Sequence, residues 1–146
     1  MPPTILPLGP SHIDDAVRIE CQSFSSPWSR TMLLDEIENP QAFCLAAEED
    51  GALIGYACVR IVLDEGSITN VAVAPQQRRK GIASQLLDAI RAHAVDLELS
   101  FLTLEARHSN SAAIALYEKH GFQTLGLRPG YYEKPREDAL IMTLYL

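Results

Sequence analysis

The sequence lacks the features that would place it in a membrane or in an oxidising compartment. No apolar run in its 146 residues approaches the length of roughly 18 residues that a membrane span needs. Its start, Met1 to Thr4, has neither the basic nor the apolar segment of a signal peptide. Cys21, Cys44 and Cys58 are odd in number, widely spaced and form no Cys-x-x-Cys pair. We therefore expect a cytoplasmic protein without membrane association, whose cysteines are reduced core residues.

Metal ligands and a basic surface are also scarce. The four histidines have no metal-ligand spacing with each other or with cysteine, so the sequence predicts no metal site. The formal net charge of −7 argues against nucleic-acid binding, because phosphate contacts need a basic face. The same charge is compatible with a basic protein or peptide substrate that is attracted electrostatically.

What is present is the composition of one globular domain. Hydrophobic residues make up 47% and charged residues 21%, and no linker or repeat divides residues 1–146. Periodicity predicts strands at 5–8, 43–48, 53–63, 67–73, 101–106, 122–127 and 139–146, and helices at 13–21, 30–38, 82–96 and 109–120. Ser11 is expected to cap the first helix, Asp50-Gly51 to form a hairpin turn, and residues 128–138 to form a polar loop. The order βααβββαβαββ predicts an α/β fold, an α+β mixed sheet with helices on its faces.

The chain is organised around a strand, a basic glycine-containing loop and a helix. The strand ends with Val71, Ala72 and Val73, and apolar residues recur every fourth position after Gly81. Gly81 lets backbone N–H groups approach a ligand, and the first N–H groups of a helix form a ready anion site. The basic triplet at 78–80 adds positive charge there. The pattern fits neither the P-loop nor the dinucleotide fingerprint, and a basic loop capping a surface helix is the alternative interpretation.

Four stretches carry a family resemblance. Arg78-x-x-Gly81-x-Ala83 resembles the pyrophosphate loop of the GNAT acetyltransferases. The segment from Glu105 to Phe122 resembles that of the RimI group of ribosomal-protein alanine N-acetyltransferases within that family. Two further pieces agree, Pro27-Trp28-Ser29 and the stretch of residues 131–142 that begins Tyr-Tyr. The predicted element order is also similar to the GNAT fold over nearly the whole chain.

The resemblance implies which residues would act. Glu105 would be the general base, acting directly or through a water, and Tyr117 would be the acid that protonates the departing thiolate. Acetyl-CoA would be held by residues of the strand, the basic loop, the helix start and the later motif: Val71, Ala72, Val73, Arg78, Arg79, Lys80, Gly81, Ile82, Ala83, Ser84 and Asn110. The acceptor would be bound by four residues: Trp28, Tyr131, Tyr132 and Glu137.

Each of these residues has a plainer interpretation. Glu105 is also what an exposed strand end would carry, and Tyr117 lies at a helical spacing typical of a core residue. Asn110 binds the pantetheine arm or caps a helix. Trp28 lines a groove or anchors packing, and the group 131–137 lines the acceptor site or forms a solvated turn.

The function implied by the resemblance is acetyl transfer from acetyl-CoA to a protein N-terminal amine, the N-terminal alanine of small-subunit ribosomal protein eighteen. Some relatives are associated with a tRNA-modification protein, which makes such a complex a further expected partner. Two alternatives stay open on the sequence: a GNAT enzyme that acetylates lysine or small amines such as polyamines, and a non-catalytic module that binds acyl-CoA or a protein partner.

Overall fold

The computed structural model describes residues 2–146. Within that range the chain forms one seven-stranded sheet, in the order β1-β2-β3-β4-β5-β7-β6, and four α-helices. The strands are β1 (Thr4–Pro7), β2 (Ala42–Glu49), β3 (Ala52–Val62), β4 (Glu65–Val73), β5 (Phe101–Arg107), β6 (Gln123–Tyr132) and β7 (Glu137–Tyr145), and the helices are α1 (Ile13–Ser23), α2 (Arg30–Glu38), α3 (Ile82–Asp96) and α4 (Ser111–Lys119). The predicted order βααβββαβαββ and the mixed α/β class are therefore confirmed.

The strands β4 and β5 form a parallel pair, whereas the other pairings described are antiparallel. They pair only at their starts, from Glu65 opposite Phe101 to Ser67 opposite Thr103. Farther along, β4 continues beside β3 and β5 continues beside β7. The two strands thus separate in the middle of the sheet, and each keeps an unpaired edge facing the other.

A β-bulge in β4 accompanies this separation. Cys58 of β3 is opposite Asn70, while the next residue, Val59, is opposite Ile68. Thr69 is therefore the extra residue on β4, and its hydroxyl donates a hydrogen bond to the Cys58 carbonyl at 3.3 Å. A bulge bends and twists its strand, which carries the second half of β4 away from β5.

An apolar layer covers each face of the sheet. On one face, α3 and α4 pack over the buried residues of β5. We call this side of the sheet the α3 face. On the other, α1 and α2 pack over β2 and β3, and we call this the α1 face. The largest fully buried side chains of the α3 face include Leu86, Ile90 and Leu102, and those of the α1 face include Ile19, Leu33 and Tyr56.

The helix α3 buries the stripe that its sequence predicts. Ile82, Leu86, Ile90 and Ala94 are all at most 3% exposed, and their spacing of four residues places them on one side of the helix. Burying each aliphatic side chain of this size contributes roughly 1.5–3 kcal/mol. This stripe fixes the helix against the sheet and so fixes where its N-terminus lies.

The predicted polar loop at residues 128–138 is wrong. β6 continues to Tyr132 and β7 begins at Glu137, and these two residues pair across the hairpin. The Gly130 N–H donates to Asp138 Oδ1 at 2.8 Å, which ties the two strands together near the turn. The hairpin is at the sheet edge, where polar side chains are solvated, so its composition resembled a loop.

Three smaller expectations are also corrected. Ser11 lies within a 3-10 turn, Pro10–His12, and α1 has no side-chain cap; the His12 ring instead accepts the Gly9 N–H. Cys21 is exposed rather than part of the core, although Cys44 and Cys58 are buried. The last helix begins at Ser111 rather than at 109, because Asn110 caps it. Among residues 2–146, no helix has both the length and the apolar character that crossing a membrane requires.

Candidate active site

A cavity of about 590 Å³ opens where β4 and β5 separate. Side chains from five parts of the chain line it: the end of α1 with the α1–α2 connection, the second half of β4, the end of β5, α4 and the β6–β7 hairpin. The bulge in β4 and the loss of β4–β5 pairing create this space, since continued pairing would close it. The cavity passes between the strands and therefore has walls on both faces of the sheet.

The side chain of Glu105 lies on the α1 face of β5. Its neighbours Leu104 and Ala106 are buried in the α3-face core, and side chains alternate along a strand. Glu105 lines the cavity, is 27% exposed, and has one oxygen 3.5 Å from Arg128 Nε. Hydrogen bonding to Glu105 and burial raise the pKa of Tyr131. A carboxylate thus lies at the cavity wall with one cation beside it.

Tyr117 lines the same cavity from the α3 face. It packs against the α3-face core, with its ring edge-on to Phe122 at a centroid distance of 5.9 Å. Burial raises the pKa of Tyr117 to about 12, so the hydroxyl keeps its proton at neutral pH. Tyr117 therefore both packs in the core and lines the cavity.

Asn110 caps a helix and also lines the cavity. Its side chain accepts the Ala113 N–H at 3.2 Å and so caps α4, and it also lines the cavity. An N-cap of this kind stabilises a helix by about 1 kcal/mol. Closing α4 at its other end, Gly121 has a φ of +93°, as expected of the residue that follows a helix.

The start of α3 lies outside the cavity lining. Gly81 is the N-cap residue with a φ of +78°, and no side chain caps the helix, so its first N–H groups are left for another partner. The Arg78 guanidinium donates to the Val73 carbonyl at 3.2 Å and to Ser23 Oγ at 3.3 Å. Lys80 donates to Gln77 at 3.2 Å. The basic loop is thereby held between the end of β4 and the end of α1.

The remaining residues predicted for the cofactor are divided between backbone and side-chain positions. Val71 lines the cavity, whereas Ala72 is buried in the α1-face core. Ile82 is 3% exposed and packs in the α3-face core. Ser84 Oγ lies 2.9 Å from Nε2 of His120. Arg79 and Ala83 were also predicted for the cofactor. Of these two, Arg79 has a positive φ of +64°.

Three of the four residues predicted for the acceptor line the cavity, and one does not. Trp28 lines it and also packs on the α1-face core. Tyr131 and Tyr132 line it with their rings edge-on at 5.0 Å, and the Tyr132 hydroxyl donates to the Glu105 carbonyl at 3.1 Å. Glu137 instead accepts from the Ser109 N–H. Hydrogen bonding to the Ser109 side chain, and then to the Ser109 N–H and Arg107, lowers the pKa of Glu137.

Sequence reasoning missed Arg107. Its guanidinium donates to the carbonyls of Pro135 and Glu133 at 2.9 and 3.0 Å, and it lies over the Tyr132 ring at 4.4 Å. It also reaches Glu137 Oε1 at 3.3 Å. This residue holds the β6–β7 turn over the cavity. Its place in the segment from Glu105 to Phe122 was a signal, but the residues that it contacts lie on the β6–β7 hairpin.

Glu20 and Asn70 were also missed, although both line the cavity. Glu20 is 1% exposed and Asn70 is 5% exposed. The available signal for Asn70 was an amide directly before the apolar residues 71–73. Within residues 2–146, no group of three or more His, Cys, Asp or Glu side chains is arranged to hold a metal ion.

Comparisons with known proteins show the family and the fold of this chain. The model of the Acetyltransferase (GNAT) family matches residues 13–122. A Bacillus subtilis protein provisionally named [ribosomal protein bS18]-alanine N-acetyltransferase is 40% identical over 131 residues, which cover 89% of this chain and 87% of the relative. The [ribosomal protein bS18]-alanine N-acetyltransferase of Escherichia coli is 36% identical over 144 residues, covering 97% and 96%. A crystal structure of the ribosomal-protein-S18-alanine N-acetyltransferase from Escherichia coli superimposes with a TM-score of 0.92 at 33% identity, covering 98% and 93%.

Proposed function

Because this chain belongs to the GNAT family of acetyltransferases, we propose that it acetylates the N-terminal alanine of ribosomal protein bS18, by direct transfer from acetyl-CoA. Membership makes it an N-acetyltransferase, and the GNAT family uses acetyl-CoA. The named relatives and the net charge of −7 support this acceptor, since a basic ribosomal protein is attracted to an acidic enzyme. Such an acceptor is met in the cytoplasm.

The structure has features that fit the coenzyme. The uncapped start of α3 presents free N–H groups and the positive end of the helix dipole, which suit a diphosphate. A Cβ on Gly81 would meet nothing within 4 Å, so the space in front of that turn is open. The unpaired edge of β4 beyond Ser67 offers backbone groups to an amide-containing arm. The loop 78–84, residues 71–73 and Asn110 would hold it, and the coenzyme supplies the activated thioester.

Glu105 is the proposed base. It lies on the α1 face of the cavity beside the aromatic residues that would receive the acceptor. An α-amino group has a pKa near 8, against about 10.4 for lysine, so a carboxylate removes its proton more easily. Glu105 first takes one proton from the ammonium group, directly or through a water, which frees the nitrogen lone pair to attack the acyl carbon. The nitrogen loses its second proton to solvent as the amide forms.

Tyr117 is the proposed acid on the opposite wall. Its hydroxyl is protonated at neutral pH because burial raises its pKa to about 12. As the new carbon–nitrogen bond forms and the carbon–sulfur bond breaks, the departing sulfur takes the Tyr117 proton, which solvent then restores. A hydrogen-bond donor at this point also stabilises the charge that develops on sulfur.

Trp28, Tyr131 and Tyr132 would bind the first residues of the acceptor. Their rings enclose the α1-face side of the cavity, and Arg107 holds the hairpin that carries two of them. Glu137 would contribute indirectly, by bonding the hairpin to the Ser109 N–H and to Arg107.

The observation that carries the proposal is that one cavity, opened by the separation of β4 and β5, has Glu105 on one wall and Tyr117 on the other. The test is acetyl transfer to a peptide with the first residues of bS18, followed by mass spectrometry. A matched peptide, blocked at its N-terminus and carrying a lysine, is the control. Transfer only to the lysine peptide or to polyamines would favour another GNAT substrate class. Binding of coenzyme A without transfer to any amine would show a non-catalytic module.

A further inference from the structure

A buried polar cluster lies beneath the α1-face wall of the cavity and has no part in the proposed chemistry so far. At its centre is the carboxylate of Glu20, which accepts the Trp28 N–H at 2.9 Å and the Tyr56 hydroxyl. The Asn70 amide nitrogen lies 3.3 Å from both carboxylate oxygens. Burial raises the pKa of Glu20, and the donors from Trp28 and Asn70 oppose that effect. One carboxylate thus joins α1, the α1–α2 connection, β3 and β4.

This cluster fixes the orientation of the Asn70 side chain. The NH2 group of the amide faces both oxygens of Glu20, which accept from it. The amide oxygen, Oδ1, then points the other way. Within residues 2–146 that oxygen is buried and has no hydrogen-bond partner. Buried polar atoms are almost always paired, and Asn70 lines the cavity, so this acceptor oxygen is free for a donor.

The missing partner has to be a donor, and the side of the sheet indicates which one. Asn70 joins the α1-face cluster through Glu20 and Tyr56, so its side chain lies on the α1 face. The side chain of Glu105 lies on that same face, whereas Tyr117 packs on the α3 face. The unpaired oxygen is therefore on the side of the proposed base and not on the side of the proposed thiolate acid.

We propose that Asn70 Oδ1 accepts a hydrogen bond from the α-amino group of the acceptor, and that Glu20 is the positioning residue that holds Asn70 in this orientation. The inference rests on the proposed function, because it requires an amine in the cavity. An amine that gives one proton to Glu105 still has N–H groups to donate. Asn70 then selects for a free amine and aligns its lone pair with the acyl carbon.

The experiment compares two peptides by calorimetry on the complex of the enzyme with coenzyme A. One peptide begins with alanine, and the other begins with a propionyl group, which replaces the amine by hydrogen. For Asn70→Ala we expect the alanine peptide to bind about 10- to 100-fold more weakly, the loss of a hydrogen bond from a charged group. The propionyl peptide and coenzyme A should bind as tightly as before. The double comparison isolates the contact between Asn70 and the amine.

The control is Asn39→Ala. Asn39 also donates its amide to a buried glutamate, Glu36, at 3.3 Å, but it does not line the β4–β5 cavity. Its substitution should change neither peptide affinity.

Glu20→Gln tests the positioning role. A glutamine offers one acceptor oxygen in place of two, so Asn70 is no longer held in one orientation. We expect the same loss of preference for the alanine peptide, and no further loss when Asn70→Ala is added. A purely structural role would lower the melting temperature and weaken both peptides alike.

Three results would overturn the inference. If Asn70→Ala keeps the wild-type preference for the alanine peptide, the amine does not contact Asn70. If it weakens coenzyme A instead, the partner is an amide of the pantetheine arm. If the wild-type enzyme binds both peptides equally, the cavity does not select the amine and the inference fails; if it also fails to acetylate the alanine peptide, the proposed function fails with it. The first two results leave the proposed function standing.

Discussion

Replacing Tyr117 by phenylalanine removes one hydroxyl and keeps the ring. The contact with Phe122 depends on the ring alone, so the helix α4 should stay packed. Only the proton that the hydroxyl holds is lost. The variant therefore distinguishes a packing role for Tyr117 from a catalytic role, because a residue that only packs predicts no change in turnover.

The expected loss follows from the pKa of Tyr117. A positioned acid contributes about 10²–10⁴-fold in rate, and most when its pKa is near the working pH. Burial raises the pKa of Tyr117 to about 12, far above neutral, so the effect belongs at the lower end. A hydrogen bond to a charged group contributes about 1.5–3 kcal/mol, which corresponds to roughly 10- to 100-fold at 1.36 kcal/mol per tenfold. We expect kcat to fall about 100-fold.

The assay measures thiol release with an N-terminal alanine peptide, alongside coenzyme affinity and thermal unfolding. Tyr145→Phe is the matched control, because Tyr145 is 64% exposed on β7 and does not line the cavity. Coenzyme affinity and the unfolding temperature of Tyr117→Phe should match those of the wild type. A turnover within twofold of the wild type would refute the acid role and leave Tyr117 as a packing residue.

Four further outcomes are expected. Glu105→Gln should lower kcat by about 10²–10⁴-fold, and the wild-type kcat/KM should rise with pH through about 8, as an α-amine loses its proton; a rise only towards 10.4 would indicate lysine. Gly81→Ala places a Cβ on a residue with a φ of +78°, so it should lower the free energy of unfolding by about 1–2 kcal/mol and weaken coenzyme binding. The control Gly9→Ala, at a φ of −126°, should change neither stability nor coenzyme binding. Equal effects of the two substitutions would contradict the argument from the Gly81 turn. Arg107→Lys loses the forked contacts to two carbonyls and should raise the KM for peptide about tenfold, an estimate for about 1.4 kcal/mol. Arg18→Lys, at a surface ion pair, is its control, and an unchanged KM for Arg107→Lys would show that the hairpin needs no such tie.

The sequence predicted the element order and most bounds because the periodicity that decides them is local. The stripe of α3 and the alternation of β5 could both be read directly, and both were observed. The 128–138 hairpin could not, because at a sheet edge polar residues suit a strand as well as a loop. Only its cross-strand pairing, as between Tyr132 and Glu137, shows which it is.

For the site, the residues carried by motifs were available from sequence, and Glu105, Tyr117, Asn110 and Trp28 do meet at one cavity. Arg107 stood inside a motif but had no visible partner. Its contacts lie on residues 133 and 135, after the intervening helix α4 and strand β6.

The sequence by itself determined the local elements, the family and the chemical groups available to it, since these depend on neighbours within a few positions. Tertiary structure alone decided that β4 and β5 separate, and which side chains share a wall of the gap. Glu20 and Asn70 are 50 positions apart and interact only because α1 packs on the sheet face to which Asn70 points. The contact places the Asn70 amide nitrogen against the Glu20 carboxyl group, and no local pattern encodes that orientation.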